Sequence, residues 1–210
     1  MILLLSGCSA SLFNNYRVYD IPAAPDMDSC SWFRKDTGRY LFQSSIDIYK
    51  RNFSGLLFIK PLNESHRILY ITELGIKIFD LEFFRTGNFK IHYCLDEMNR
   101  KSITNTLGND LSLMIYNIAD NGTAKVMQEK NEDRLAIKSE DERGTRYCLI
   151  NKSTGKVDEL IKTGACREKL NIKFFSTTVT APDSIILKHY NLKLNIHLTK
   201  LDETGTNISE

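Results

Sequence analysis

Residues 96–119 are the one stretch of this chain that does not alternate in the manner of a strand. Leu107, Leu111, Met114, Ile115 and Ile118 fall at i, i+4, i+7, i+8 and i+11, a single apolar stripe on a helix. Asp96, Glu97, Asn99, Arg100 and Lys101 precede them and suit a first, more exposed turn or two. A short amphipathic helix set among strands needs a sheet face to cover. That requirement restricts the chain to a sheet large enough to hold a helix against it.

The flanking sequence supplies such a sheet. Ile46, Ile48 and Lys50 alternate with Asp47, Tyr49 and Arg51, and Ile68, Tyr70 and Thr72 with Leu69 and Ile71. Residues 53–60 form a denser apolar run, as in a strand covered on both faces for part of its length. Ile76 to Leu81 makes the next strand, and Phe89, Ile91 and Tyr93 alternate with Lys90, His92 and Cys94. Short turn segments at Pro61, Gly75 and Gly87 join these into an antiparallel meander. After the helix, residues 124–128, 134–138, 145–150, 157–162 and 169–179 read as strands, and Pro182 breaks the chain. In the last strand Tyr190, Leu192, Leu194, Ile196 and Leu198 face one way, while Asn191, Lys193, Asn195, His197 and Thr199 face the other.

The expected fold is therefore α+β and mostly β. It is a large curved antiparallel sheet of about eleven strands, an incomplete β-barrel with a mid-chain helical lid. Residues 9–40 read as a tether and loose N-terminal segment whose end is pinned to the body by Trp32 and Phe33. Residues 202–210 read as a disordered polar tail.

The N-terminus carries an address. Leu5-Ser6-Gly7-Cys8, after Ile2-Leu3-Leu4, resembles the lipobox of bacterial lipoprotein signal peptides. The resemblance implies that residues 1–7 are removed and that Cys8 bears acyl chains, which together anchor a protein stably. No basic residue precedes the apolar run, so an upstream start is expected. Ser9 lacks the Asp that favours inner-membrane retention, and residues 10–15 lack an acidic surface-export cluster. Both features point to the periplasmic face of the outer membrane. The alternative is a greasy first strand with Cys8 as an ordinary buried thiol.

With Cys8 set aside, Cys30, Cys94, Cys148 and Cys166 remain. Cys148 and Cys166 flank a hairpin and are the more plausible disulfide, with free buried thiols the equal alternative. Charge is balanced, 28 basic against 26 acidic residues, which leaves no footprint for nucleic acid.

Catalytic constellations are scarce. His66, His92, His189 and His197 form no HExxH or HxH pair, and no GxSxG, GxGxxG or GxxxxGK[ST] occurs. No metal site, cofactor or enzymatic activity is expected, although a carboxylate pair needs geometry to exclude.

The order of elements resembles the LolA/LolB-like bacterial lipoprotein carriers and receptors. Residues 53–60, 67–70 and 72–80 are similar to that group's early strands, Asp110-Leu111-Ser112-Leu113-Met114 to its mid-chain helix, and residues 182–201 to its closing strand. The resemblance spans residues 41–201, with 1–7 as signal remnant, 8–40 as anchored tether and 202–210 as tail. It implies an apolar cleft under a helical lid that takes a lipid or an acylated protein. The partners would be acyl chains, the membrane through Cys8, and a periplasmic carrier or envelope protein. The cleft candidates are Phe58, Tyr70, Phe79, Tyr93, Leu111, Met114, Ile115, Leu192, Leu194 and Ile196. No exposed apolar loop tip like that of the receptor members is evident in the sequence. The competing expectation is an assembly lipoprotein whose cleft is filled by its own side chains; cavity volume separates the two.

Overall fold

A computed structural model of the chain describes residues 16–18, 30–33, 38–116, 125–129, 133–141, 144–164 and 167–201. Cys8, Cys166, Ile118, the signal remnant, most of the tether and the polar tail lie outside the described residues.

The strands are β1 (Tyr16–Val18), β2 (Tyr40–Ile48), β3 (Arg51–Pro61), β4 (Ser65–Thr72), β5 (Lys77–Phe84) and β6 (Phe89–Cys94). The helix α1 (Lys101–Tyr116) follows. Then come β7 (Lys125–Glu129), β8 (Arg134–Asp141), β9 (Gly144–Asn151), β10 (Val157–Thr163), β11 (Glu168–Phe175), β12 (Ser184–His189) and β13 (Leu194–Lys200). All described strands join one antiparallel sheet in the order β1-β7-β8-β9-β10-β11-β12-β13-β2-β3-β4-β5-β6. Two meanders, β7 to β13 and β2 to β6, meet along the β13–β2 ladder, and α1 links their far ends. Among the described residues the sheet has 13 strands and does not close on itself. The expected architecture is thus present with two more strands than anticipated.

Alternation builds the inner face. Tyr40, Phe42, Ile46 and Ile48 of β2 point inward, as do Leu57 and Ile59, Ile68 and Tyr70, and Phe79, Leu81 and Phe83. Leu170, Ile172 and Phe174 continue the face, then Ile185 and Leu187, then Leu194, Ile196 and Leu198. The stripe of α1 covers it: Leu107, Leu111, Met114 and Ile115 belong to the same buried cluster. Each such side chain contributes about 1.5–3 kcal/mol by leaving water. Gly108 lets the helix approach closely, because a Cβ there would run into the Phe89 ring. Gly55 serves the sheet in the same way: a Cβ would land on the backbone carbonyl oxygen of Ile71 on the neighbouring strand.

Polar contacts fix the N-terminal segment. Trp32 and Phe33 are buried as expected. Trp32 Nε1 donates to the Val157 carbonyl at 2.6 Å, and Ser31 Oγ donates to the Ile115 carbonyl at 3.0 Å. His66 meets the Phe33 carbonyl through Nε2 at 2.8 Å and the Tyr116 hydroxyl through Nδ1 at 3.1 Å. Tyr116 in turn donates to the Phe83 carbonyl at 2.7 Å. One histidine therefore joins the N-terminal segment, the end of α1 and the sheet. On the outer face Arg67 grips Asp80 with two hydrogen bonds of 2.7 and 2.9 Å, which hold the Asp80 carboxyl below its usual range.

Candidate functional site

A half-open cleft of about 600 Å³ lies where three turns meet at the start of α1. The β2–β3 turn gives Ile48, Tyr49, Lys50 and Arg51, and the β12–β13 turn gives Asn191, Leu192 and Lys193. The approach to α1 supplies Glu97, Met98, Arg100 and Ile103. Its wall is mostly apolar. A narrower niche continues inward from it past Ser102 and Thr106 to Leu194.

Local geometry explains why these turns converge. Ile48 pairs with Arg51, so Tyr49 and Lys50 form a two-residue turn. Tyr49 takes a positive φ of 55°, a left-handed conformation that costs a non-glycine residue about 1–2 kcal/mol. Its amide donates to the Lys193 carbonyl at 2.7 Å, which locks one turn to the other. The second turn is braced from within: the Leu192 amide donates to His189 Nδ1 at 3.2 Å. With Nδ1 accepting, the His189 proton sits on Nε2, which faces Asp110 of α1 across 3.8 Å. Burial lowers the His189 pKa, with Lys162 and Lys169 adding repulsion. Burial pushes the Asp110 carboxyl up to about 7 despite nearby Lys162. Asp110 Oδ2 is buried and has no hydrogen-bond partner.

The structure sorts the expected cleft residues into three groups. Tyr70, Phe79, Leu111, Met114, Ile115, Leu194 and Ile196 do come together, but as packed core rather than open lining. Leu192 alone lines the 600 Å³ cleft, and Leu194 reaches only its inner niche. Two residues are misplaced. Phe58 sits on the outer face, paired with Leu41 and Leu69, because Leu57 and Ile59 take the inward positions. A run apolar at every position gives no parity to read. Tyr93 is 40% exposed on the outermost strand, with the Lys77 ammonium 5.6 Å above its ring. A register shift at Asp80/Leu81 sets it opposite Asp80 on the outer face.

Other expectations are corrected as well. Tyr190 is exposed in the turn before β13 instead of facing the core. Cys148 is a free buried thiol whose pKa burial pushes well up, with Cys30 nearby. Its cross-strand partners are Ile137 on β8 and Leu160 on β10, and Cys166 lies outside the described residues. The sequence also hid an apolar tip: at the β4–β5 turn Leu74 is 87% exposed, with Ile76 beside it.

A second hollow, of about 530 Å³, lies over β8, β10 and β11. Its charges already have partners, Arg134 with Asp158 and Lys173 with Glu159. Among the described residues no three His, Cys, Asp or Glu side chains gather as metal ligands. No helix among them is long and apolar enough to cross a membrane.

No family model matches the chain, and no curated protein matches it. Among solved structures, a DUF1329 family protein from Desulfovibrio piger superposes with a TM-score of 0.50 at 8% identity, over 86% of this chain and 90% of that one. An outer membrane lipoprotein-sorting protein domain from Vibrio parahaemolyticus gives a TM-score of 0.47 at 7% identity, over 83% and 89%. At such identity the first likeness concerns the fold alone. The open curved sheet with a helix over its face is the architecture that the LolA/LolB resemblance implies.

Proposed function

We propose that this protein is a non-catalytic, lipid-anchored lipoprotein of the outer membrane that binds a lipid or the acyl chain of another protein. The observation that carries the reading is the apolar cleft at the start of α1. Its volume of about 600 Å³ falls within the roughly 300–1,000 Å³ of small-molecule sites. The lipobox-like Leu5-Ser6-Gly7-Cys8 supports the anchor, and Ser9 with residues 10–15 supports the periplasmic face. The exposed Leu74 tip supports contact with a membrane or an apolar partner.

Native mass spectrometry of the unlipidated 210-residue chain tests this. Species that co-purify and dissociate as lipid masses, or adducts formed with added fatty acid, are the expected result. A bare mass that no lipid shifts would overturn it. That outcome would favour the assembly role, which the near-complete burial of Leu111, Met114 and Ile115 also fits.

A further inference from the structure

The wall of the cleft is apolar, but its rim is not. Lys50 and Arg51 come from the β2–β3 turn, Arg100 from the approach to α1, and Lys193 from the β12–β13 turn. All four are exposed, and none of their charged groups has a hydrogen-bond or ion-pair partner among the described residues. Among the described residues Glu97 is the one carboxylate in the lining. Four cations thus face one anion on a chain whose whole net charge is only +2.

The contrast with the rest of the surface is informative. Arg67 is paired with Asp80, Arg134 with Asp158, Lys138 with Glu140 and Lys173 with Glu159. These four have carboxylates beside them; the four at the cleft mouth do not. Like charges held around a low-dielectric hollow raise the local potential and draw in an anion. The floor beneath them, Ile48, Met98, Ile103 and Leu192, offers nothing to a polar group.

We propose that the cleft selects an anionic amphiphile: an acyl chain lies on the Ile48–Ile103–Leu192 floor and its carboxylate or phosphate head is held at the rim by Lys50, Arg51, Arg100 and Lys193. This rests on the acyl-binding reading above and adds the charge of the head group. Because the cations are exposed, each contact is modest and screened by salt, and selectivity comes from four acting together.

The test compares ligands with the same twelve-carbon tail, below their aggregation concentrations, by calorimetry on the 210-residue chain. Dodecyl phosphate and laurate represent the two head-group sources, dodecyl phosphocholine is the uncharged-overall control, and inorganic phosphate is a head without a tail. The expected result is binding of dodecyl phosphate or laurate at least about tenfold tighter than dodecyl phosphocholine, and tighter at low salt than at high. Replacing Lys50, Arg51, Arg100 and Lys193 together by Gln should erase the difference, the anionic ligands losing at least about tenfold more affinity than dodecyl phosphocholine. Equal affinity for charged and zwitterionic heads, or a preference that survives the four substitutions, overturns the anionic selection while the acyl cleft stands. Inorganic phosphate that competes as well as dodecyl phosphate overturns it too, since the tail would then be irrelevant. If no amphiphile binds, the acyl cleft itself falls.

Discussion

Asp110 Oδ2 and His189 Nε2 face each other across 3.8 Å, one on the helix and the other at the end of β12. His189 also receives the Leu192 amide, so a single imidazole connects the covering helix to the turn that walls the cleft. The carboxylate is buried without a hydrogen bond, and the cations near the pair are Lys162 and Lys169. The docking of α1 is therefore sensitive to protons at this point.

The sign follows from the two directions. The Asp110 pKa is raised in the fold, up to about 7, so its contribution is fully present below the ordinary carboxylate range and lost as pH rises through about 7. The His189 pKa is lowered, so its contribution is present above the ordinary histidine range and lost as pH falls. Comparison of wild type with Asp110→Asn isolates the first. The variant should gain stability relative to wild type by on the order of 2–4 kcal/mol between pH 4 and pH 8. Urea unfolding across that range reads it; a difference that stays constant with pH would show that Asp110 does not titrate there.

Core and cleft should separate cleanly under mutation. Leu111 is fully buried between the helix and the sheet, so Leu111→Ala should lower stability by about 2–5 kcal/mol. Leu192 is half-buried at the cleft, so Leu192→Asp should abolish acyl-chain binding with little change in the melting temperature. Calorimetric melting and lipid titration of both variants check the pair. Loss of stability without loss of binding in Leu192→Asp would remove that residue from the site.

Gly55→Ala should destabilise the sheet by about 1–3 kcal/mol, since its methyl group meets the Ile71 carbonyl of the next strand rather than a movable side chain. Denaturant unfolding measures it. An unchanged midpoint would mean that β3 and β4 can separate there without loss.

Much of the fold can be read in advance because two periods differ. The 3.6-residue stripe through Leu107, Leu111 and Met114 and the two-residue alternation of Leu194, Ile196 and Leu198 are each buried as patterned. β12 escapes notice because Ile185, Ile186 and Leu187 are all apolar, although Ile186 points outward. The cleft is harder still. Its residues come from three turns far apart in sequence, and the decisive one, Tyr49-Lys50, has no Gly, Asn or Pro to mark it. Asp96 to Arg100 resemble a helix start but form the turn before one, and from it Glu97, Met98 and Arg100 reach the cleft.

The sheet ends on β1 at one side and β6 at the other, with no ladder between them among the described residues. In a closed barrel, strand number and stagger set the radius once and for all. Here no such closure sets the radius. The curvature is held instead by what packs on the inner face, α1 and the buried cluster to which it belongs. The bend of this molecule is thus a matter of side-chain packing rather than of strand arithmetic.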